Sequence, residues 1–456
     1  MSGAESGRPA TMAPRAAITD SRIAAADILA DLRSGDLLDG SFERRTAQLD
    51  PRDRRWTREL VYGLLRRRSW IDAILAVRVT GGPSRLDAEV ADLLRLGTYQ
   101  LLSMGSVPPY AAIGQTVEMV KRRQGVGASK LANAVLRRID REREALGVVL
   151  PDATPERLAL EFSHPQWIVD RWIDQFGIDA ARQLLAANNG EAPLVARPYH
   201  VVREQLEAML ESAGVETADA PLVPDSIVLT GGVTSLTELG AFRQGLFHLQ
   251  DPASTLVTRY ACVATGSLVA DLCSAPGGKA LELARVARTV IASDVSRHRL
   301  ERVRENVRRL EVDNMILLVA DGAAPALVGV DAVLVDAPCT GTGTFRRHPD
   351  ARWRLKASDL AVLPALQRTL LRAAAGAVRP GGLLVYSTCS LEREENDAQA
   401  ARFLAEHPDW KLEPPPDGVV PATALDGGYL RVLPQSHGTD GAFAARFRRP
   451  ALGAAA

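Results

Sequence analysis

GSLVADLCSAPGGKALELARVA (266–287) reads as a strand, a tight glycine turn and a helix. TVIASDVS (289–296) follows as a second strand, RHRLERVRENVRRLEV (297–312) as a helix and MILLVADG (315–322) as a third strand. VDAVLVDAPCTGTGT (330–344) gives a fourth strand running into a Gly/Thr loop, and LPALQRTLLRAAAGAV (363–378) a helix. GGLLVYSTCS (381–390) is a fifth strand, EENDAQAARFLAEHP (394–408) a helix and TDGAFAARFRRP (439–450) a final strand. Strands alternating with helices in this way predict a doubly wound, mostly parallel α/β sheet of Rossmann-like type.

Upstream the pattern changes. RIAAADILADL, RRWTRELVYGLLRRRSWIDAIL, EVADLLRLGTYQLLS, YAAIGQTVEMVKRR and ASKLANAVLRRI place apolar residues at helical spacing, with breakers such as Gly81-Gly82-Pro83 between them. No strand pattern interrupts, so this part is all-α. Pro151 and Pro155 mark a linker. PQWIVDRWIDQFG (165–177) is helical, LVARPYH a strand, REQLEAMLESAG a helix and SIVLTGG a strand, a small α+β segment. The expected division is a disordered tail at 1–17, a helical domain at 18–146, a helical and α+β connector at 147–244, the α/β domain at 245–450 and a tail at 451–456.

The chain has 456 residues, 46% of them hydrophobic and 24% charged, ordinary values for a protein able to bury several cores. No apolar run reaches the ~18–20 residues of a membrane helix, and the first residues lack the apolar core of a secretory signal. Cys262, Cys273, Cys339 and Cys389 are too scattered for a disulfide framework or zinc cluster, so no metal is expected and a reducing cytoplasm is the expected location. Net charge is zero, yet residues 1–150 carry 24 Arg and Lys against 18 Asp and Glu. A basic first part suggests phosphate contacts. The 50 Arg against 5 Lys reflect GC-rich codons as readily as phosphate binding.

The first strand runs through Asp271 into Cys273-Ser274-Ala275-Pro276-Gly277-Gly278-Lys279. There is no G-x-G-x-x-G and no P-loop, which argues against dinucleotide and NTP enzymes. Asp294 closes the second strand, 23 residues after Asp271, where a ribose-binding carboxylate is expected. Asp321 and Asp336 close the third and fourth. One such Asp could merely cap a helix; four in succession point to a nucleoside, and an acidic rim favours an adenosine without phosphates. Cys339 and Cys389 leave the fourth and fifth strands on that same rim. Cys262 reads as core, and Cys273 as a backbone contributor to the turn.

DLCSAPGGK, DAPCTGTGTFRRHPDARW and STCSLEREEN resemble the Sun family of RNA cytosine carbon-5 methyltransferases, as do HLQDPAS (248–254) and QSHGTDGAFAARF (435–447). RELVYGLLR, LRLGTYQLL, VPPYAAIGQTVEMVK and ASKLANAVLRRI resemble the RNA-binding NusB fold, and SHPQWIVDRW (163–172) the joining segment of members that carry both halves. The resemblance implies S-adenosylmethionine as cofactor and a cytosine of small-subunit (16S) rRNA as substrate, with no DNA and no membrane as partner. It implies that Cys273–Lys279 cradles the methionine and ribose, Asp294 holds the ribose hydroxyls, Asp321 faces adenine and Asp336 lies between cofactor and base. Cys389 is then the nucleophile and Cys339 assists product release. Lys279 either lowers a thiol pKa or pairs with an acid. FRRHPDARWR (345–354), with arginines among aromatics, reads as an RNA-contacting loop, and Arg66–Arg68 as an RNA contact or a solvated face. Rival readings are the same reaction on tRNA and a non-catalytic NusB-like RNA-binding or antitermination factor; intact Cys339 and Cys389 argue against the latter. An amino-group methyltransferase would carry a [DNS]-P-P-[YFW] loop where this chain has Asp336-Ala-Pro-Cys339.

Overall fold

A computed structural model describes residues 18–146, 154–233 and 235–451, so the tail expected at 1–17, and all but residue 451 of the one expected at 451–456, lie outside the described residues. The chain forms two compact units, one ending at Ser163 and one beginning at His164.

The first unit is helical: α1 (Asp20–Arg33), α2 (Leu38–Thr46), α3 (Pro51–Arg66), α4 (Arg68–Ala76), α5 (Ala88–Ser103), α6 (Pro109–Arg141) and α7 (Pro155–Glu161). α3 starts where Asp50 accepts from the Asp53 N–H at 2.9 Å with Pro51 behind it, and α5 where Asp87 accepts from Glu89 N–H at 2.9 Å. Such caps stabilise a helix by about 1 kcal/mol each. Leu60, Val61, Leu64 and Leu65 of α3 and Leu93, Leu94 and Leu96 of α5 are buried, as their helical spacing requires. Gly125 (φ +86°) breaks α6 into the two segments read from the sequence. α7, expected in the connector, packs on α4 instead, and Ser163 Oγ accepts from Ser69 N–H at 2.8 Å.

The second unit holds two sheets. In the smaller, β1 (Leu194–Pro198), β2 (Glu216–Asp219), β3 (Ile227–Gly231) and β4 (Phe247–Leu249) lie in the order β2-β3-β1-β4, all antiparallel. β4 falls within the stretch expected to belong to the α/β domain, but it pairs with β1.

The larger sheet comprises β5 (Leu268–Leu272), β6 (Thr289–Asp294), β7 (Met315–Val319), β8 (Val330–Asp336), β9 (Val378–Thr388), β10 (Lys411–Leu412), β11 (Leu425–Asp426), β12 (Tyr429–Val432) and β13 (Ala442–Arg448). Its order is β11-β12-β13-β9-β8-β5-β6-β7, with β10 paired to β13. β9, β8, β5, β6 and β7 are parallel, and β13 runs antiparallel to β9. Val269, Val290, Leu334 and Val385 are buried on one face; Ala270, Val333, Val335 and Leu384 are buried on the other. That double burial is why these strands read as nearly continuous apolar runs. Because β6 and β7 lie to one side of β5 and β8 and β9 to the other, the end of β5 is a switch point, where open α/β sheets bind ligands. No helix among the described residues is long and apolar enough to cross a membrane.

Candidate active site

The turn after β5 is built so that backbone, not side chains, faces the switch point. Cys273 (φ +63°) and Gly277 (φ +99°) adopt left-handed conformations, and a Cβ on Gly277 would stand 2.8 Å from Val303. Burial, then the nearby Asp271, pushes the Cys273 thiol up to about 12, which leaves it no nucleophilic role. Asp271 is fully buried and accepts from Ser274 Oγ at 2.8 Å. Burial and the charge of Asp336 push its carboxyl up to about 7. It is thus an internal brace of the turn.

Asp294 is 2% exposed at the end of β6. Its Oδ1 accepts from Ser296 N–H at 2.9 Å, while Oδ2 has no hydrogen-bond donor, the Arg299 guanidinium standing 3.4 Å away. A buried carboxylate oxygen without a donor is costly unless a ligand supplies one. Together with the bare turn it fits the diol of a nucleoside. Asp321 lies beyond β7 with its Oδ1 accepting from Ala323 N–H at 2.9 Å; it is exposed at the outer edge of this rim.

On the other side of β5, Asp336 ends β8. Its Oδ2 accepts from Lys279 Nζ at 2.7 Å and its Oδ1 from Ser387 Oγ at 2.9 Å. Of the two roles open to Lys279, pairing with an acid is therefore seen directly. Burial opposes its charge, but Asp336 outweighs that and holds its pKa raised. Asp336, Lys279, Ser274, Pro276 and Gly278 line a cleft of about 330 Å³, closed on its far side by Leu194, Val195 and Leu249 of the small sheet.

Cys339 and Cys389 come together: their sulfurs are 3.4 Å apart. The shared proton lowers the Cys389 pKa; burial and Asp336 oppose this, and Lys279 and His348 assist it. Cys339 is raised well above its ordinary value, first by the same hydrogen bond and then by burial, with the charges of Cys389 and Glu395 adding to it. Of the two thiols, which share one hydrogen bond, Cys389 is thus the readier to lose its proton.

The fold holds the two loops in that relation through Glu395, which the sequence did not single out. Its carboxylate accepts from Thr340 N–H at 3.0 Å, from Thr340 Oγ1 and from Gln367 Nε2 at 3.0 Å. Gly343 N–H donates to Cys389 O at 2.9 Å, and a Cβ on Gly343 would meet that oxygen at 2.7 Å. Asn396 donates to Ser390 O at 2.9 Å. The joining segment adds a buttress: Trp172 Nε1 donates to Glu392 at 3.1 Å and Gln175 Nε2 to Leu391 O at 2.8 Å.

The FRRHPDARWR loop departs from its reading as an RNA-contacting loop. Arg346 donates to Asp440 at 2.8 Å and Asp251 at 3.1 Å, and Arg347 to Asp251 at 2.6 Å. Arg352 is fully buried and donates to Asn189 Oδ1 at 2.8 Å and Asn188 O at 2.9 Å. These guanidiniums bind the protein's own carboxylates and carbonyls. In the first unit, Arg68 stands 3.9 Å from Asp72, an ordinary pair one helical turn apart. Cys262, read as core, is only half-buried and is the left-handed residue (φ +42°) that ends Pro252–Ala261. No group of His, Cys, Asp and Glu among the described residues could hold a metal ion.

An open sheet with an acidic rim and a glycine turn at its switch point, and a thiol pair beside them, defines a methyltransferase domain with a paired-cysteine centre. Residues 263–448 match the family model described as 16S rRNA methyltransferase RsmB/F, 19–141 that of the NusB family, and 164–235 that of the RsmF/B-like ferredoxin-like domain. The ribosomal RNA small subunit methyltransferase B of Vibrio cholerae is 34% identical over 420 residues, covering 88% of this chain and 94% of that protein. Its namesake in Klebsiella pneumoniae is 36% identical over 380 residues, covering 80% and 84%. The crystal structure of PH0851 superposes with a TM-score of 0.79 at 26% identity, covering 95% of this chain and all of that one. The chain belongs to the 16S rRNA methyltransferase RsmB/F family and is an RNA methyltransferase.

Proposed function

We propose that this protein methylates carbon 5 of a cytosine in 16S rRNA in the cytoplasm, through a covalent bond between Cys389 and the base. The observation that carries this reading is the Cys389–Cys339 contact of 3.4 Å beside the Lys279–Asp336 pair. S-adenosylmethionine, when bound, supplies an electrophilic methyl group. The backbone turn Cys273–Lys279 would cradle its methionine and ribose, Asp294 Oδ2 would accept from the ribose hydroxyls, and Asp321 would face the adenine edge.

Carbon 5 of cytosine is a poor nucleophile. Addition of the Cys389 thiolate to carbon 6 pushes electrons onto carbon 5, splitting one hard step into easier ones. The negative charge that this addition drives onto ring nitrogen 3 is quenched by a proton from solvent, and the Asp336 carboxylate, fixed from behind by Lys279 and Ser387, would accept a hydrogen bond from that N–H. The base has to leave its stack to enter the cleft. After transfer, nitrogen 3 returns its proton to solvent, the carbon-5 proton also passes to solvent, its electron pair re-forms the 5,6 double bond and the Cys389 sulfur leaves carbon 6 as thiolate. Cys339 stands beside that sulfur and would assist the release. A positive charge near Cys389 has a clear use here: Lys279 and His348 favour the thiolate that must attack.

The test is bisulfite sequencing of 16S rRNA from a strain lacking the gene. One cytosine losing its protection, and regaining it with the purified protein, is the expected result. Unchanged 16S rRNA with a cytosine lost from tRNA would move the substrate to tRNA.

A further inference from the structure

Gln250 follows β4, and its backbone N–H donates to Val195 O at 3.0 Å. Its side chain is 7% exposed and lines the same cleft as Ser274, Gly278 and Lys279. Thr255 Oγ1 donates to its Oε1 at 3.0 Å, which fixes the amide. The other end, Nε2, is buried with no partner. Two buried N–H donors left unmet are costly unless a ligand accepts from them.

Where that amide sits identifies the acceptor. A Cβ on Gly278 would lie 3.1 Å from Nε2, so the amide hangs directly over the glycine turn. The adenosine side of the rim lies at Asp294, beyond β6, and the base has to reach Cys389, at the end of β9; the turn lies between them. The Lys and Arg side chains that line the cleft are committed, Lys279 to Asp336 and Arg347 to Asp251 and Asp440. An anionic group placed over the turn therefore meets a neutral donor already aimed at it. We propose that Gln250 binds the carboxylate of the cofactor's amino-acid tail, and so sets which way the sulfonium methyl points. The assignment rests on the adenosylmethionine reading above.

The test is calorimetry on the full-length protein with two ligands, S-adenosylhomocysteine and its decarboxylated analogue. In Gln250→Leu, affinity for S-adenosylhomocysteine should fall roughly tenfold to a hundredfold, the worth of a hydrogen bond to a charged group. Affinity for the decarboxylated analogue should not change. Gln250→Glu keeps the shape and places a carboxylate against a carboxylate, so it should lose more than Gln250→Leu, again only with the carboxylated ligand. Equal losses for both ligands, or no loss in either variant, would overturn the assignment. A wild-type protein that bound neither ligand would overturn the cofactor reading itself.

Discussion

Asp294→Ala removes a carboxylate of which one oxygen is already used. Oδ1 is held by the Ser296 N–H, so the ligand-facing worth of the residue resides in Oδ2, buried and without a donor. One charge-assisted hydrogen bond contributes about 1.5–3 kcal/mol, which predicts a roughly ten- to hundredfold loss of affinity for S-adenosylhomocysteine. The loss of the Arg299 contact adds little, because that guanidinium is half exposed and 3.4 Å away. Loss of the Ser296 bond is a local cost that a second ligand separates out. Calorimetry with S-adenosylhomocysteine and its 2′,3′-dideoxy analogue gives a cycle: the variant should lose affinity for the first and none for the second. Equal losses would mean that Asp294 only shapes the turn, and the ribose assignment would fail.

Glu395→Ala should leave the Thr340 N–H buried and unpaired, lowering stability by about 1–3 kcal/mol and abolishing turnover as the two cysteine loops part. Thermal melting and methyl transfer check this; an active, equally stable variant would refute the brace. Asp271 has a folded pKa of about 7, above its unfolded value, so the folded state binds the extra proton and stability falls as pH rises from about 4 to 7. Asp271→Asn should therefore gain in melting temperature relative to wild type at pH 8 and much less at pH 4, and a pH-independent difference would contradict the shift. Removing residues 1–163 should leave a unit that binds S-adenosylhomocysteine but binds 16S rRNA with a shallower salt dependence, since fewer phosphate contacts release fewer counterions. An unchanged slope would deny the helical unit a role in RNA binding.

What was legible in the sequence was what is local. The turn at 273–279 and the aspartates at 294 and 336 follow apolar strands directly, and both cysteines fall at strand exits, so their place on one rim follows from the β/α alternation. The strands β2, β4, β10, β11 and β12 escaped because they are two to four residues long, too short to show a strand pattern, and β4 and β10 are held by strands that are not their neighbours in the chain, β1 and β13. Arg346 and Arg347 misled because arginine beside aromatics looks like an RNA surface. Their carboxylate partners, Asp251 and Asp440, are more than 90 residues away, beyond any local pattern. Glu395 and Asn396 look like ordinary polar residues ahead of a helix, and only the folded loop shows that Glu395 fastens Thr340, beside Cys339, while Asn396 ties the Cys389 loop to itself at Thr388 and Ser390. Gln250 gave one faint signal, its place in HLQDPAS, whose worth depends on an amide with no partner.

The covalent mechanism is tested most directly by separating the two thiols. Cys389→Ser should abolish methylation, because a hydroxyl at neutral pH is a far weaker nucleophile than a thiolate. Cys339→Ser should still attack the base but release it slowly. A protein–RNA adduct should then survive denaturing gel electrophoresis, require S-adenosylmethionine, and vanish in the Cys339/Cys389 double variant. An adduct trapped by Cys389→Ser instead would reverse the two roles, and full turnover in both single variants would contradict covalent catalysis by this pair.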